Sequence, residues 1–269
     1  MATITCLNRI VNVEQWHERM PKKLVCLHGF TGTASSWEEL AQQLPDVHVI
    51  AIDLIGHGMS DVPQNASDYE MSVQLQLLHE VFQRLQLDRF TLLGYSMGGR
   101  VALSYAVQYP EQIEKLLLES ASPGLVDEGA RQERIVADNA LADFIEREGL
   151  EAFVEKWANI PLFETQKQLP QHMQHAIRTE RLSQQPLGLA NSLRGIGTGR
   201  MPVVWDQLIT LPMPVHLLVG ELDIKFVNIA HEMKKQITNA QITQFLGCGH
   251  TIHVENLPQF ATIVKESIS

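Results

Sequence analysis

Residues 92–100 constrain the fold more than any other stretch, because they join an apolar run, a Gly-x-Ser-x-Gly turn and the opening of a helix. Such a turn bends so sharply at its serine that side chains two residues away would collide, and Gly94 and Gly98 occupy those positions. The apolar residues before the turn predict a buried strand, and those after it predict a helix that ends before Pro110. We therefore predict a nucleophile elbow that exposes the Ser96 hydroxyl above a sheet.

Length, charge and cysteine content narrow the class of protein. The 269 residues, with 45% hydrophobic and 19% charged side chains, are enough for one large globular core with an inserted subdomain. A net charge of -10 without a basic run argues against nucleic acid or an anionic membrane as a partner. Cys6, Cys26 and Cys248 are odd in number and scattered, which predicts neither a disulfide framework nor a zinc site. Because we find no signal peptide and no membrane span in the sequence, we expect a cytoplasmic protein.

Strand-like and helix-like patterns alternate along most of the chain. Apolar runs predict strands at residues 4–13, 23–27, 47–53, 90–93, 113–119, 214–220 and 241–246. Helices are predicted at residues 72–87, 100–107, 230–237 and 258–267, with another that follows a capping serine in the pair Ser35-Ser36. This alternation is typical of an α/β protein with a mostly parallel sheet covered by helices on both faces. Strand patterns stop between residues 122 and 205, so we predict a helical cap there, inserted into a core of residues 1–121 and 206–269.

Two polar residues that follow late strands complete a catalytic constellation with Ser96. A serine hydroxyl needs an adjacent imidazole, which in turn needs a carboxylate to fix its tautomer. Asp223 and His250 are the candidates, because each comes directly after a predicted strand, at the sheet edge where ligands gather. His253 is an alternative base. Asp53 is an alternative acid, although it precedes the serine in the chain and fits better as a support for the loop that follows it.

Taken together, the motifs resemble the α/β-hydrolase superfamily along essentially the whole chain. In order, the landmarks are His28-Gly29-Phe30, Asp53-x-x-Gly56-His57-Gly58-x-Ser60, the elbow, Gly220-x-x-Asp223 and Gly249-His250. The resemblance implies an α/β-hydrolase fold and an oxyanion hole formed by the backbone N–H groups of Phe30 and Met97. It also implies that His28 and His57 support their loops and take no part in the chemistry.

The cap resembles, more narrowly, the MenH family of menaquinone-pathway synthases. The matching stretches are residues 119–125, Arg131 and Arg134, Trp157 with residues 161–163, and residues 181–199. In that family the triad serine acts as a base that removes a ring proton, and pyruvate leaves by elimination without an acyl-enzyme. The resemblance therefore implies a lyase that makes 2-succinyl-6-hydroxy-2,4-cyclohexadiene-1-carboxylate, with an anionic small-molecule substrate and with neither a metal nor an organic cofactor.

An anionic substrate needs arginines in an otherwise acidic protein. Residue by residue, the resemblance implies that the substrate-binding positions are Tyr95, Arg100, Arg134, Trp157 and Arg181. Arg100 also follows from helix geometry, because it lies four residues after Ser96 on the same predicted helix. Arg131 competes with Arg134, and Arg178 with Arg181, since each pair lies about one helical turn apart. Trp157 is also compatible with a place in the core of the cap.

Two other classes of function stay open at this point. The same constellation can attack a carbonyl carbon, so a carboxylic ester or carbon–carbon bond hydrolase is the alternative to the lyase. A binding protein that keeps the fold without catalysis is the third class, and the complete set of Ser96, Asp223 and His250 argues against it.

Overall fold

A computed structural model describes residues 2–268, and across them eight strands form one sheet in the order β1-β2-β4-β3-β5-β6-β7-β8. The strands are β1 (Ala2–Cys6), β2 (Arg9–Trp16), β3 (Lys22–Leu27), β4 (Val47–Ile52), β5 (Phe90–Tyr95), β6 (Ile113–Glu119), β7 (Val215–Gly220) and β8 (Ala240–Phe245). β2 pairs antiparallel with β1 and β4, and every later pairing is parallel. The carboxyl ends of β3 to β8 therefore share one edge of the sheet, which confirms the predicted mostly parallel α/β class.

Helices cover both faces of this sheet. They are α1 (Glu38–Gln43), α2 (Met71–Arg84), α3 (Met97–Gln108), α4 (Glu128–Ala158), α5 (Gln171–Leu182), α6 (Pro186–Ile196), α7 (Ile224–Gln236), α8 (Ile252–Glu255) and α9 (Leu257–Ile268). Short 3-10 helices lie at Ala34–Trp37, Ala66–Tyr69, Pro110–Gln112, Pro161–Gln168 and Trp205–Thr210. Among the described residues, none of these helices combines the length and hydropathy that a membrane span requires.

The sheet separates two apolar cores because side chains alternate between its faces. In β3, Val25 and Leu27 pack in the core under α2, α3 and α7, whereas Leu24 and Cys26 pack in the core under α1 and α9. All four side chains are fully buried. Burial on both faces explains why the central strands have continuous apolar sequences, without the alternation of a half-exposed strand.

The segment between β6 and β7 is helical and has a small core of its own. Helix α4 breaks at Gly149, which has φ 83° and ψ 174°, and its two halves pack with α6 around Phe153 and Leu193. A left-handed φ favours glycine, so the break lies at a residue that tolerates it. The division of the chain into a core and a cap of residues 122–205 stays a prediction.

Three local predictions were wrong. Residues 4–13 form no single strand, since β1 and β2 make a hairpin that turns at Leu7 and Asn8, with φ 49° and 59°. Neither Ser35 nor Ser36 takes the N-cap position, because Thr33 caps the 3-10 helix that precedes α1 and Ser36 Oγ accepts the Thr33 N–H at 3.1 Å. Helix α7 begins six residues earlier than the pattern indicated, immediately after Asp223.

Candidate active site

The turn at Ser96 joins β5 to α3 and holds the serine in a strained backbone conformation. Its φ of 49° and ψ of −106° lie outside the regions that ordinary residues prefer. A Cβ atom on Gly94 would lie 2.4 Å from the carbonyl oxygen of Gly98, and one on Gly98 would lie 2.3 Å from that of Leu27. The two glycines are therefore required for the turn, and for its close packing against the end of β3.

Ser96, His250 and Asp223 form one chain of hydrogen bonds. His250 Nε2 lies 2.9 Å from Ser96 Oγ, and His250 Nδ1 lies 2.6 Å from Asp223 Oδ2. Asp223 follows β7 and His250 follows β8, so the shared sheet edge brings the three residues together. A carboxylate only accepts, so Nδ1 carries the proton and Nε2 is free to accept the serine hydroxyl. With His250 only 1% exposed, the arrangement can turn the serine oxygen into a base or a nucleophile.

The alternative base and acid have other partners. His253 Nδ1 lies 2.9 Å from both carboxylate oxygens of Glu119, a fully buried residue at the end of β6. Asp53 accepts hydrogen bonds from the backbone N–H groups of Ala34, at 2.6 Å, and Met59, at 2.8 Å. Asp53 thus supports two loops, as expected, and the histidine pairs with a carboxylate outside the Ser96 chain.

The loop after β3 carries Phe30 and is fixed by two neutral histidines. His28 Nε2 accepts the Leu54 N–H at 3.0 Å, so its Nδ1 carries the proton and donates to the Gly29 carbonyl at 2.7 Å. Burial lowers the pKa of His28, and it lowers the pKa of His57, whose ring lies 5.1 Å from that of His28, to about 3. Both imidazoles therefore hold the loop as uncharged groups.

Helix α3 begins at Met97, whose N–H has no acceptor within the helix. The glycine after it packs against the carbonyl oxygens of Leu27 and His28, so this helix end lies beside the loop of Phe30. The role of Phe30 and Met97 as the two oxyanion donors stays a prediction.

Aromatic side chains from the helical segment between β6 and β7 extend to His250. The Trp157 ring lies 5.5 Å from that of Phe30 and 5.7 Å from that of Phe163, and the Phe163 ring lies 6.3 Å from that of His250. Trp157 Nε1 is buried and has no hydrogen-bond partner among residues 2–268. A buried donor without an acceptor is costly, so this N–H is suited to a ligand that supplies one.

The structure distinguishes Arg181 from Arg178. Arg181 is 6% exposed, donates to Gln166 Oε1 at 2.9 Å and lies 4.6 Å from the centre of the Phe163 ring. Within residues 2–268, no carboxylate oxygen comes within 4.0 Å of its guanidinium, and burial lowers its pKa. The side chain of Arg178 is 42% exposed and has Glu151 as an ion-pair partner at 3.5 Å. Arg181 is thus the arginine of this helix without a carboxylate at ion-pair distance, and the negative charge of Glu180 only partly offsets the effect of burial on its pKa.

Arg100 and Arg134 form a second cationic group. Arg100 donates to the Ile196 carbonyl at 2.7 Å, and Arg134 Nε donates to Asp138 Oδ1 at 2.8 Å. Burial lowers the pKa of Arg100 to about 10, and the positive charge of Arg134 adds to this effect. The competitor Arg131 lies 3.9 Å from exposed Glu128. Convergence of Arg100, Arg134 and Arg181 above the serine stays a prediction.

Comparisons with known proteins identify the fold family. A model of the alpha/beta hydrolase fold family matches residues 22–257. The chain belongs to the α/β-hydrolase fold family. Among its relatives, a putative 2-succinyl-6-hydroxy-2,4-cyclohexadiene-1-carboxylate synthase of Bacillus subtilis is 47% identical over 246 residues, covering 91% of this chain and 90% of the relative. The synthase of that name from Enterobacter is 34% identical over 236 residues, covering 87% of this chain and 86% of the relative.

Solved structures agree with this assignment. MenH from S. aureus has a TM-score of 0.91 and 38% identity, covering 96% of this chain and 97% of that one. A thermophilic esterase from Thermogutta terrifontis has a TM-score of 0.84 and 25% identity, covering 98% of this chain and 96% of the esterase. This member of the α/β-hydrolase family is therefore an enzyme that resembles MenH in sequence and structure.

Sequence reasoning missed Gln166 and Thr251, two polar residues that connect the predicted binding residues Tyr95 and Arg181 of this hydrolase-fold enzyme. Tyr95 lies with its hydroxyl 2.9 Å from Thr251 Oγ1, and that oxygen also accepts from Gln166 Nε2 at 2.9 Å. Gln166 then binds Arg181, and Tyr95, Gln166, Arg181 and Thr251 all line a cavity of about 790 Å³ between α5 and the core. Thr251 directly follows the Gly249-His250 motif but is not part of it, and Gln166 belongs to no motif, because its position depends on how the 3-10 helix Pro161–Gln168 docks on the core.

Proposed function

We propose that the protein eliminates pyruvate from 2-succinyl-5-enolpyruvyl-6-hydroxy-3-cyclohexene-1-carboxylate, to give 2-succinyl-6-hydroxy-2,4-cyclohexadiene-1-carboxylate in menaquinone biosynthesis. The relatives that carry the name of this synthase support the reaction. The structural observation that supports it most directly is Arg181, a buried cation without a carboxylate at ion-pair distance, which lines a cavity together with Tyr95, the chain neighbour of Ser96. A multiply charged carboxylate substrate supplies the missing negative charge.

The hydrogen-bond chain suits proton abstraction. His250 accepts the proton of Ser96 Oγ, and the serine oxygen removes a proton from the substrate ring. The electron pair left at ring carbon C2 forms the 2,3 double bond, the existing 3,4 double bond shifts to 4,5, and the bond between C5 and the enolpyruvyl oxygen breaks. The departing enolate takes up a proton to become pyruvate. Asp223 stabilises the imidazolium that forms at His250. No bond between substrate and enzyme is needed at any step.

Negative charge develops on the substrate as the ring proton leaves. The N–H groups of Phe30 and Met97 are the proposed donors to the oxygen that receives this charge. Arg181, Arg100 and Arg134 are the proposed contacts of the substrate carboxylates, together with Tyr95 and the unpaired N–H of Trp157. Each charge-assisted contact contributes about 1.5–3 kcal/mol, so several of them hold a polyanion in a protein whose net charge is -10.

A carboxylic ester or carbon–carbon bond hydrolase is the second candidate. The likeness to the T. terrifontis esterase supports it, because the same Ser96–His250 geometry also suits attack on a carbonyl carbon. The two reactions differ in whether a covalent intermediate with Ser96 forms. An ester hydrolase gives a burst of p-nitrophenol from a p-nitrophenyl ester as its acyl-enzyme accumulates, whereas the lyase releases pyruvate from the pathway intermediate.

The deciding experiment supplies both substrates to the same purified protein. We expect pyruvate release, and a loss of about ten- to a hundred-fold in kcat/KM for Arg134→Ala and for Arg181→Ala, with a larger loss for Ser96→Ala. An ester burst without pyruvate release, and without dependence on these arginines, would establish the hydrolase instead. We also propose a small anionic molecule as the partner, which the buried Arg181 supports, and the cytoplasm as the compartment, which the three free cysteines support.

A further inference from the structure

The last turn of α5 is attached to a core loop through one carboxylate oxygen. Glu180 Oε1 accepts hydrogen bonds from Thr33 N–H at 3.0 Å, from Thr33 Oγ1 at 2.8 Å and from Ser36 Oγ at 2.5 Å. Hydrogen bonds to a carboxylate are about twice as strong as those between neutral groups. A single cap side chain thus binds three donors of the core, at the start of the 3-10 helix Ala34–Trp37.

The loop that Glu180 binds also carries Phe30. This loop, residues 28–36, runs from the end of β3 into the 3-10 helix and contains the Phe30 N–H that we propose as an oxyanion donor. Gln184, one turn after Glu180, donates to the carbonyl oxygens of Thr31 and Gly32, each at 3.2 Å, and accepts the Gly58 N–H at 3.1 Å. The end of α5 and the turn after it therefore hold the loop on both sides of Thr33.

Arg181 follows Glu180 directly in the helix, and successive residues point about 100° apart. Glu180 faces the loop, while Arg181 points toward Gln166 and the Phe163 ring. Because both belong to one rigid turn, the bonds that fix Glu180 on the core also fix the place of the Arg181 guanidinium. Neither residue has to bind the other for this coupling to work.

We propose that Glu180 is a positioning residue: by binding Thr33 and Ser36 it fixes Arg181 and the Phe30 loop in the relative placement that the reaction needs. The proposal rests on the proposed function, in which Arg181 binds a substrate carboxylate and the loop supplies an oxyanion donor. Glu180 acts through these two groups, since its Oε1 is already bound by three donors of the core. Misplacement by about 1 Å is enough to lower a rate substantially, because the binding groups must match the geometry of the transition state.

A double-mutant cycle tests the link between Glu180 and Arg181. We expect Glu180→Ala to lower kcat/KM for pyruvate release about ten- to fifty-fold in the wild-type background, but by a clearly smaller factor when Arg181 is already alanine, because only the Phe30 loop is then left to be misplaced. Glu180→Gln should retain part of the activity, since its amide oxygen still accepts. Equal losses in both backgrounds would mean that Glu180 does not act through Arg181, and would overturn the proposal.

Hydrogen exchange supplies a readout that does not depend on the reaction. In Glu180→Ala, and more weakly in Ser36→Ala, the amides of residues 29–36 should exchange faster than in wild type. The control is Glu146→Gln, which removes a cap carboxylate that binds Arg194 at 2.7 Å and should leave this loop and the activity unchanged. Unchanged exchange in Glu180→Ala would refute the proposal. If wild type released no pyruvate, the proposed function would fail while this measurement would still test the attachment.

Discussion

Replacing Arg181 by methionine should separate stability from activity. The substitution keeps an unbranched apolar stem beside the Phe163 ring and removes a charge that is buried without a carboxylate partner. Because the fold has to desolvate that charge, the unliganded protein gains little from it. The substrate, in contrast, loses one of its proposed counter-charges. Stability and kcat/KM should therefore change in different directions, or stability should not change at all.

The expected magnitudes follow from the contacts. Exchange of a buried charge for an apolar group of similar volume is neutral or stabilises by about 1–4 kcal/mol. Loss of the Arg181–Gln166 hydrogen bond and of the contact with Phe163 costs about 1–3 kcal/mol in the opposite direction. We expect a free energy of unfolding within about 1 kcal/mol of wild type or above it, and a loss of about ten- to a hundred-fold in kcat/KM.

Arg194 provides the matched control in the same cap. It pairs with Asp143 at 2.6 Å and with Glu146 at 2.7 Å, and the hydrogen bond that it donates to Glu146 raises its pKa. Arg194→Met should lower stability by about 0.5–1 kcal/mol and leave kcat/KM within about twofold of wild type. Urea unfolding and pyruvate release measure both quantities. If Arg181→Met destabilised the protein more than Arg194→Met did and kept full activity, the assignment of Arg181 to substrate binding would be wrong.

Two further predictions concern a buried histidine and the elbow. His57, with its pKa lowered to about 3 by burial, stays neutral in the folded protein, whereas the unfolded chain protonates near pH 6.5. Between these two pH values the unfolded state binds more protons than the folded state. A fall from pH 6.5 to 5 should therefore lower the free energy of unfolding by about 2 kcal/mol more in wild type than in His57→Gln, as measured by urea unfolding. Equal losses in the two proteins would contradict this prediction. Gly98→Ala places a Cβ 2.3 Å from the Leu27 carbonyl oxygen and should destabilise by about 1–3 kcal/mol. Gly129→Ala, in the first turn of α4, should be neutral or stabilising in the same thermal melt, and equal melting temperatures for the two variants would argue against the steric reading of the elbow.

The elbow could be predicted from sequence because its cause is local. Gly94 is fixed by a collision within the turn itself, and the strand before the turn has a continuous apolar sequence, whereas Gly98 is also fixed by its packing against the end of β3. The placement of Asp223 and His250 followed from strand order, since parallel strands end at one edge of the sheet. The hairpin at Leu7 had no such signal, because its turn lacks the glycine that usually marks a left-handed φ.

The cap was less predictable because its contacts are not local. Arg178 and Arg181 lie on one helix, and only the docking of α5 shows which of them is buried. Gln166 and Glu180 belong to no motif, yet each contacts the core through a residue far away in the chain. A pattern along the sequence indicates the period of a helix, but it does not indicate which part of the core the helix contacts.

Pyruvate release is the most direct test of the central claim that the Ser96–His250–Asp223 chain acts as a base. The purified protein is supplied with 2-succinyl-5-enolpyruvyl-6-hydroxy-3-cyclohexene-1-carboxylate, and pyruvate is followed against the spontaneous rate. Wild type should release pyruvate without any covalent adduct of Ser96 in the intact mass of the protein, and Ser96→Ala should fall to near the spontaneous rate. Release by wild type no faster than the spontaneous reaction, or equal release by wild type and Ser96→Ala, would contradict the claim.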